Sequence, residues 1–430
     1  MQKLTIKNLG PIVDCTVEIR DFMVFTGPQA SGKSTIAKSI FFFNNLKNIL
    51  YTNYFKLVTV NKVLKTESLE DSFTRILQKA FRQSFGLESV IKSSGMVAFE
   101  YDNSSRIEIV FEPVTEGISI KALFDDTIKR QLKTLEQMFD TDARNDAEKI
   151  KKFINEEIFA SDMNVIYIPA GRSLLTMLSS QINYIYAVLD EQQKNSIDYC
   201  TQCYLEEVFR IKEFFDSSLD RLMRRVVDEA DYQIKQSEAE AAIQLIRNIL
   251  HGEYRNINGE ERLYYSEEQY VKMNYASSGQ QEAVWITNIL LYHMLGRYNT
   301  CFIIEEPESH LFPETQKQMI ELISLIKNGR NRAIITTHSP YILGSVNNLL
   351  YANFIAGDVD GQRLSKIVND KIWLEFENMS AYYITDGKLK DIRDDEIENI
   401  NHDVIDGVSE IINEDFESMV SLKFECKGDA

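Results

Sequence analysis

The sequence predicts an α/β fold, a mixed sheet flanked by helices, on two kinds of observation. Three apolar strands, Phe22-Met23-Val24-Phe25, Cys301-Phe302-Ile303-Ile304 and Ala333-Ile334-Ile335-Thr336, each run into polar residues and then into a helical pattern. Three or four apolar residues in a row without alternation read as a strand covered on both faces. The first of these strands is followed by a glycine-rich loop, Gly27-Pro28-Gln29-Ala30-Ser31-Gly32-Lys33-Ser34-Thr35, and the second ends in paired carboxylates, Glu305-Glu306.

From the start of the chain, Leu4-Thr5-Ile6 and Cys15-Thr16-Val17-Glu18-Ile19 alternate around a Gly10-Pro11 turn. They read as a small sheet that includes the Phe22 strand. Ile36, Ala37, Ile40 and Phe43 share one helical face after the glycine loop, in a helix that extends to about Leu50. Residues 62–160 are mixed. Met96 to Tyr101 and Arg106 to Phe111 form a hairpin around Asp102-Asn103-Ser104-Ser105, and a charged helical stretch, Asp125 to Glu157, follows. Strand Asn164 to Ile168 ends in Pro169-Ala170-Gly171-Arg172. Leu174 to Leu250 contains neither Pro nor Gly and reads as helices without a sustained heptad. Two short strands flank Tyr264-Tyr265 and Tyr270 to Met273. Asp358 and Asp360 read as a turn between strands, and Asn378 to Ala430 as a small α/β cap with an acidic helix.

The glycine loop fits the P-loop pattern, two glycines four residues apart followed by Lys and Ser, between a strand and a helix. Glycines let successive N–H groups turn inward onto a phosphate, and the helix N-terminus adds its positive dipole end. Lys33 is positioned to reach the β- and γ-phosphates of ATP, and the Ser34 hydroxyl to ligate Mg²⁺. In open α/β sheets ligands bind beyond the carboxyl ends of strands. There Glu305 suits the metal and Glu306 suits a base that positions water. His338 ends the third strand, where an imidazole can hydrogen-bond a γ-phosphate. Ser277-Ser278-Gly279-Gln280 opens a further helix and forms a second anion cradle of hydroxyls and N–H groups.

Composition narrows the partners. The formal net charge of -18 argues against a generally basic nucleic-acid-binding surface. Arg221 to Arg225 and Lys327 to Arg332 are local basic runs that read as solvated faces. Five cysteines fit a reducing compartment, and the Cys200–Cys203 pair reads as structural rather than zinc-binding. Neither a signal peptide nor an apolar run long enough to span a membrane is evident, so a cytoplasmic location is expected.

Taken together, the P-loop, the Ser277–Gln280 helix start, Glu305-Glu306 and His338, in this order, resemble the ABC-type ATPase head of the SMC, RecF and OLD-like proteins. The likeness reaches from Met1 to about Tyr351. Gly27 to Thr35 then matches the Walker A loop, and Ala276 to Gln280 the Leu-Ser-Gly-Gly-Gln signature, with Ser278 in place of its first glycine. Glu305 and Glu306 match the Walker B pair, with Glu where Asp is usual, and His338 the switch histidine. The run Glu305 to Pro313 and the run Tyr167 to Arg172 look like those of OLD-like and prokaryotic defence ATPases, for which Arg172 would either touch nucleotide or support its loop. Unlike SMC proteins the chain lacks long coiled coils, and it offers no acidic Toprim pattern after His338.

The resemblance implies an ABC-type head with a helical insertion. Its parts would be an N-terminal ATPase lobe with the P-loop (1–60), the mixed remainder of that lobe (61–172), a helical arm or lid (173–255), a C-terminal ATPase lobe (256–375) and a C-terminal cap (376–430). It implies a homodimer or larger homo-oligomer closed over ATP and Mg²⁺, slow hydrolysis, and control of a separately encoded effector such as a nuclease or toxin, like the ATPase subunits of the Septu and PARIS anti-phage systems. A RecF-like DNA-maintenance ATPase that binds nucleic acid is the alternative, and an energising subunit of a membrane transporter the third class.

Overall fold

The computed structural model describes residues 2–60, 67–86, 93–102, 105–115, 117–140, 146–177, 197–228, 236–401 and 413–419. In chain order, β1 (Lys3–Leu9), β2 (Ile12–Glu18) and β3 (Phe22–Thr26) lead into α1 (Lys33–Val60). Next come α2 (Leu69–Phe85), β4 (Gly95–Glu100), β5 (Arg106–Val114), β6 (Gly117–Phe124), α3 (Asp126–Gln137), α4 (Ala147–Phe153), β7 (Asn164–Ile168) and α5 (Arg172–Met177). Three helices, α6 (Tyr199–Lys212), α7 (Leu219–Asp228) and α8 (Gln236–Leu250), precede β8 (Glu253–Ile257), β9 (Glu260–Tyr264) and β10 (Tyr270–Lys272). The remainder is α9 (Ser278–Leu295), β11 (Thr300–Glu305), α10 (Pro313–Lys327), β12 (Arg332–Thr337), α11 (Pro340–Phe354), α12 (Gly361–Ile367), β13 (Met379–Thr385) and β14 (Lys388–Asp391). No helix among the described residues is long and apolar enough to cross a membrane.

Two sheets carry this mixed α/β fold. One is antiparallel throughout, in the order β2-β1-β4-β5-β6. The other has the order β14-β13-β3-β12-β11-β7 and is parallel except for β14. Burial follows from this difference. Every residue of β3 and β11 is buried because helices or the other sheet cover both faces, whereas β1 alternates. Successive residues of β3 enter opposite cores, Phe22 and Val24 one, Met23 and Phe25 the other.

Helix α1 lies between the two sheets, which is why its apolar residues are not confined to one stripe. Ile36, Ala37, Ile40, Phe41, Phe42, Phe43 and Leu46 are all buried. Phe41 meets Tyr167 of β7 at 5.4 Å between ring centroids, while Phe43 stacks on Phe99 of β4 at 5.5 Å. The same helix that starts at the P-loop lysine thus cements the two sheets, and each buried phenylalanine contributes about 1.5–3 kcal/mol.

Several local expectations change in three dimensions. The Phe22 strand leaves the N-terminal sheet and joins the parallel one, and α1 runs on to Val60 rather than stopping near Leu50. Asp360 does not sit between strands; its carboxylate accepts the Arg363 N–H at 3.0 Å and caps α12. The tail, read as a separate cap, supplies β13, which pairs in parallel with β3 inside the central sheet. The acidic tail helix falls at 413–419. Of the stretch expected to be helical from Leu174 to Leu250, residues 178–196 and 229–235 lie outside the described residues. Cys200 is buried on α6, and burial pushes the Cys203 thiol up to about 12, as for packed apolar side chains rather than thiolate ligands. In the basic runs, Arg225 pairs with Asp216 and Arg332 with Asp21, each at 3.1 Å.

Because Phe43 bridges the helix to the antiparallel sheet, Phe43→Ala is expected to cost about 3–5 kcal/mol of stability, read by denaturant unfolding.

Candidate nucleotide-binding site

The loop between β3 and α1 needs three left-handed residues in close succession, Gly27 (φ +140°), Ala30 (φ +58°) and Gly32 (φ +110°). The two glycines also have no room for a side chain. A Cβ on Gly27 would lie 2.4 Å from the Ile384 carbonyl of β13, and one on Gly32 would lie 2.4 Å from Ile12 Cδ1. Backbone freedom and close approach therefore ask for glycine at both positions. Pro28, Gln29 and Ala30 form the exposed rim, Ser31 and Thr35 are half-buried, and Ser34 is exposed at the helix start.

Lys33 opens α1 and is only 5% exposed. Its ammonium donates to the Gly27 carbonyl at 2.9 Å and the Pro28 carbonyl at 2.8 Å, so it lies folded back across the loop. Burial lowers its pKa, while Glu306, Glu308 and Glu305 pull in the opposite direction. Those three carboxylates stand at the end of β11 (Glu305) and in the turn after it (Glu306, Glu308), so the parallel order β3-β12-β11 delivers them to the lysine.

Glu305, the last residue of β11, is 6% exposed, and among the described residues its Oε1 has no hydrogen-bond partner within normal geometry. A buried carboxylate oxygen left without a donor suits a hard cation, so the chemistry of this position fits Mg²⁺ with the Ser34 hydroxyl as a further oxygen ligand. Glu306 follows in a left-handed conformation, φ +44°, with its N–H donated to the Thr336 carbonyl at 2.9 Å. That backbone is strained for a residue with a side chain and aims the carboxylate out of the strand. Glu306 Oε1 stands 3.5 Å from His338 Nε2, and Oε2 accepts the Ser309 hydroxyl at 3.2 Å. Burial lowers the His338 pKa, Lys33 acts in the same direction, and Glu306 opposes them, which leaves the imidazole neutral at pH 7. Lys33, Glu305, Glu306 and His338 thus form one electrostatic cluster.

Glu308, to which the motif alone attached no role, is part of it. One of its carboxylate oxygens accepts both the Thr337 hydroxyl and the His338 N–H, each at 2.8 Å. Burial raises its pKa. The Glu-Pro-Glu spacing was the only trace of it in the sequence. Arg172 has the supporting place of the two considered for it. It is fully buried, pairs with Glu282 of α9 at 3.2 Å, and donates to main-chain carbonyls of Pro169 (2.5 Å), Glu305 (2.7 Å), Glu306 (3.0 Å) and Glu282 (3.1 Å). Glu282 in turn accepts the N–H groups of Arg172 and Ser173, at 3.0 and 2.9 Å.

Ser277 to Gln280 sit apart from this cluster. Ser277 caps α9 in a capping box with Gln280, and Ser277 and Ser278 are exposed. A Cβ on Gly279 would come within 2.8 Å of the His310 carbonyl, so α9 begins against the loop that follows Glu308. Among the described residues no hydrogen bond joins these four to the Gly27–Thr35 loop.

A family model described as an AAA ATPase domain matches residues 1–343. Among solved structures, the chain is similar to an Smc head bound to the C-winged helix domain of ScpA, at 12% identity over 91% of this chain and 96% of that one, with a TM-score of 0.40. It is likewise similar to the SMC head domain from Thermotoga maritima, at 12% identity over 91% of this chain and 97% of that one, with a TM-score of 0.34. No curated protein matches the chain.

Removing the guanidinium would strand the Glu282 carboxylate in the core and free the carbonyls of the Glu305–Glu306 turn. Arg172→Ala is expected to lose about 3–5 kcal/mol, measured by chemical denaturation, and the loss should shrink when Glu282→Gln is added.

Proposed function

The chain belongs to the AAA ATPase domain family, and from that premise we propose that it binds ATP with Mg²⁺ at the Gly27–Thr35 loop and hydrolyses it slowly to ADP and phosphate. The observation that carries this reading is the meeting of Lys33, Glu305, Glu306 and His338 at the carboxyl ends of three neighbouring parallel strands. Lys33 would exchange the neutral carbonyls of Gly27 and Pro28 for phosphate oxygens, which carry full charge and reward a buried ammonium more. Mg²⁺, held by Ser34 and Glu305, would supply charge neutralisation to the phosphates. Glu306 would take the proton of the attacking water as the new P–O bond forms and the bond to the β-phosphate oxygen breaks. His338, kept neutral by burial, would donate a hydrogen bond to the transferred phosphoryl group without competing for the proton on Glu306.

Ser277 and Ser278 stand exposed at a helix N-terminus. Two copies facing one another would place each signature start over the other's phosphates, and this supports an ATP-dependent homodimer. Tyr275 (75% exposed) and Phe312 (74% exposed) lie in the segments on either side of the Gly279–His310 contact and would give such a face apolar anchors. ATP would act as a switch between closed and open pairs. The resemblance of the Glu305–Pro313 run to defence ATPases supports a role as sensor or scaffold for a separate effector.

Glu306→Gln is expected to bind ATP normally but to hydrolyse it at least about a hundredfold more slowly. It should accumulate as a species of twice the monomer mass by native mass spectrometry when ATP is present. A variant that turns over at the normal rate would remove Glu306 from its role. Co-purification of a nuclease-like or toxin-like protein would support the controller role; retained DNA would favour the RecF-like alternative instead.

A further inference from the structure

The register of the parallel sheet brings one further side chain to Glu305, the proposed metal ligand. On β7 Tyr167 stands opposite Ile303 of β11, and Glu305 follows two residues further along β11. Residues two apart on a strand share a face, so Tyr167 and Glu305 lie on the same side of the sheet. That side is the one packed on α1: Tyr167, Ile303 and Phe41 belong to one core, and the Tyr167 ring meets Phe41 at 5.4 Å. Tyr167 is 1% exposed.

Both side chains end in a buried polar atom that is not satisfied. Among the described residues neither the Tyr167 hydroxyl nor Glu305 Oε1 has a hydrogen-bond partner within normal geometry. One is a donor and the other, when ionised, can only accept. Burial raises the Tyr167 pKa, and Glu305 is the first of the charges that raise it further, so the hydroxyl keeps its proton. Three cationic donors whose charge acts on or from Glu305 are committed elsewhere. Lys33 donates to the Gly27 and Pro28 carbonyls, and Arg172 to main-chain carbonyls and Glu282. Lys38, one turn beyond Ser34 on α1, is ion-paired with Asp198, whose carboxylate also accepts the Cys200 N–H at 2.7 Å at the start of α6. The Tyr167 hydroxyl has no such commitment.

Carboxylates that ligate a metal are themselves held by hydrogen bonds from outside the ligand set, which fix their orientation. A carboxylate offers about four lone-pair sites, so one accepted O–H leaves room for a cation. We propose that Tyr167 is a positioning residue of the nucleotide site: its hydroxyl donates to the Glu305 carboxylate and fixes the orientation in which that group meets Mg²⁺. This rests on the reading of Glu305 as a metal ligand. It gives the buried hydroxyl an acceptor and the buried carboxylate a donor, and it makes the edge strand β7 part of the metal's support.

The test is Mn²⁺ binding, followed by electron paramagnetic resonance with a hydrolysis-resistant ATP analogue present, in the wild-type chain, Tyr167→Phe, Glu305→Gln and the double variant. Tyr167→Phe keeps the ring against Phe41; circular dichroism checks the fold, and analogue affinity in EDTA checks the P-loop. The substitution is expected to raise the Mn²⁺ dissociation constant about tenfold or more, to leave metal-free analogue binding unchanged, and to add nothing once Glu305→Gln is in place. A ring that serves packing alone would change stability and leave the metal constant where it was. Equal Mn²⁺ affinity of wild type and Tyr167→Phe, with Glu305→Gln weakened, overturns the proposal and leaves the ATPase reading standing. So does a weakening by Tyr167→Phe that persists in full beside Glu305→Gln. A wild type that takes up no Mn²⁺ with the analogue, or Glu305→Gln that binds it undiminished, overturns the metal role of Glu305 and this proposal with it.

Discussion

One guanidinium carries more of this structure than its length suggests. Arg172 is sealed from solvent, yet it ties the end of β7 to the start of α9 and to the carbonyls of both Glu305 and Glu306. A buried charge is tolerated only when it is paired and its donors are occupied, and here Glu282 and four carbonyl groups do both. A lysine could carry the charge but not the planar fork that reaches several main-chain acceptors at once. The turn it braces holds Glu306 at a positive φ, a conformation that persists only when its surroundings over-determine it.

That bracing matters because the site is an arrangement of acids around a base. Glu305, Glu306 and Glu308 crowd the end of β11, opposite Lys33 and beside His338. Three carboxylates so close would repel one another. Each is instead given its own partner or environment: Glu308 accepts Thr337 and His338 N–H bonds, Glu306 accepts Ser309, and Glu305 keeps one oxygen unpartnered in the interior. The last of these is the costly one: among the described residues neither the buried Lys33 ammonium nor the buried Glu305 carboxylate makes a direct ion pair, and each is met only by the longer-range field of the cluster.

The P-loop is tied to the far end of the chain in a comparable way. Gly27 packs against the Ile384 carbonyl, and Gly387 accepts the Val13 N–H at 2.9 Å, so the tail strand holds both the glycine loop and the β1–β2 turn. A segment more than three hundred residues distant in sequence thus sets how closely the loop backbone can curl.

The sequence by itself determined the elements and their chemistry. Apolar runs ending in Glu305-Glu306 and His338, and a glycine loop between strand and helix, are local patterns whose periodicity and spacing survive in the folded chain. The α/β class, the antiparallel pairing of β4 with β5 and the capping start of the Ser277 helix follow from the same short-range rules. Tertiary structure alone decided which strand joined which sheet, and with it the place of β3 beside β12 and β13, because pairing depends on what covers each face. It decided that Arg172 is buried beneath the turn and props it, since that depends on four carbonyls drawn from three separate segments. It also decided the protonation leanings of Lys33, Glu308 and His338, because desolvation is a property of the packed neighbourhood and leaves no mark on residue order.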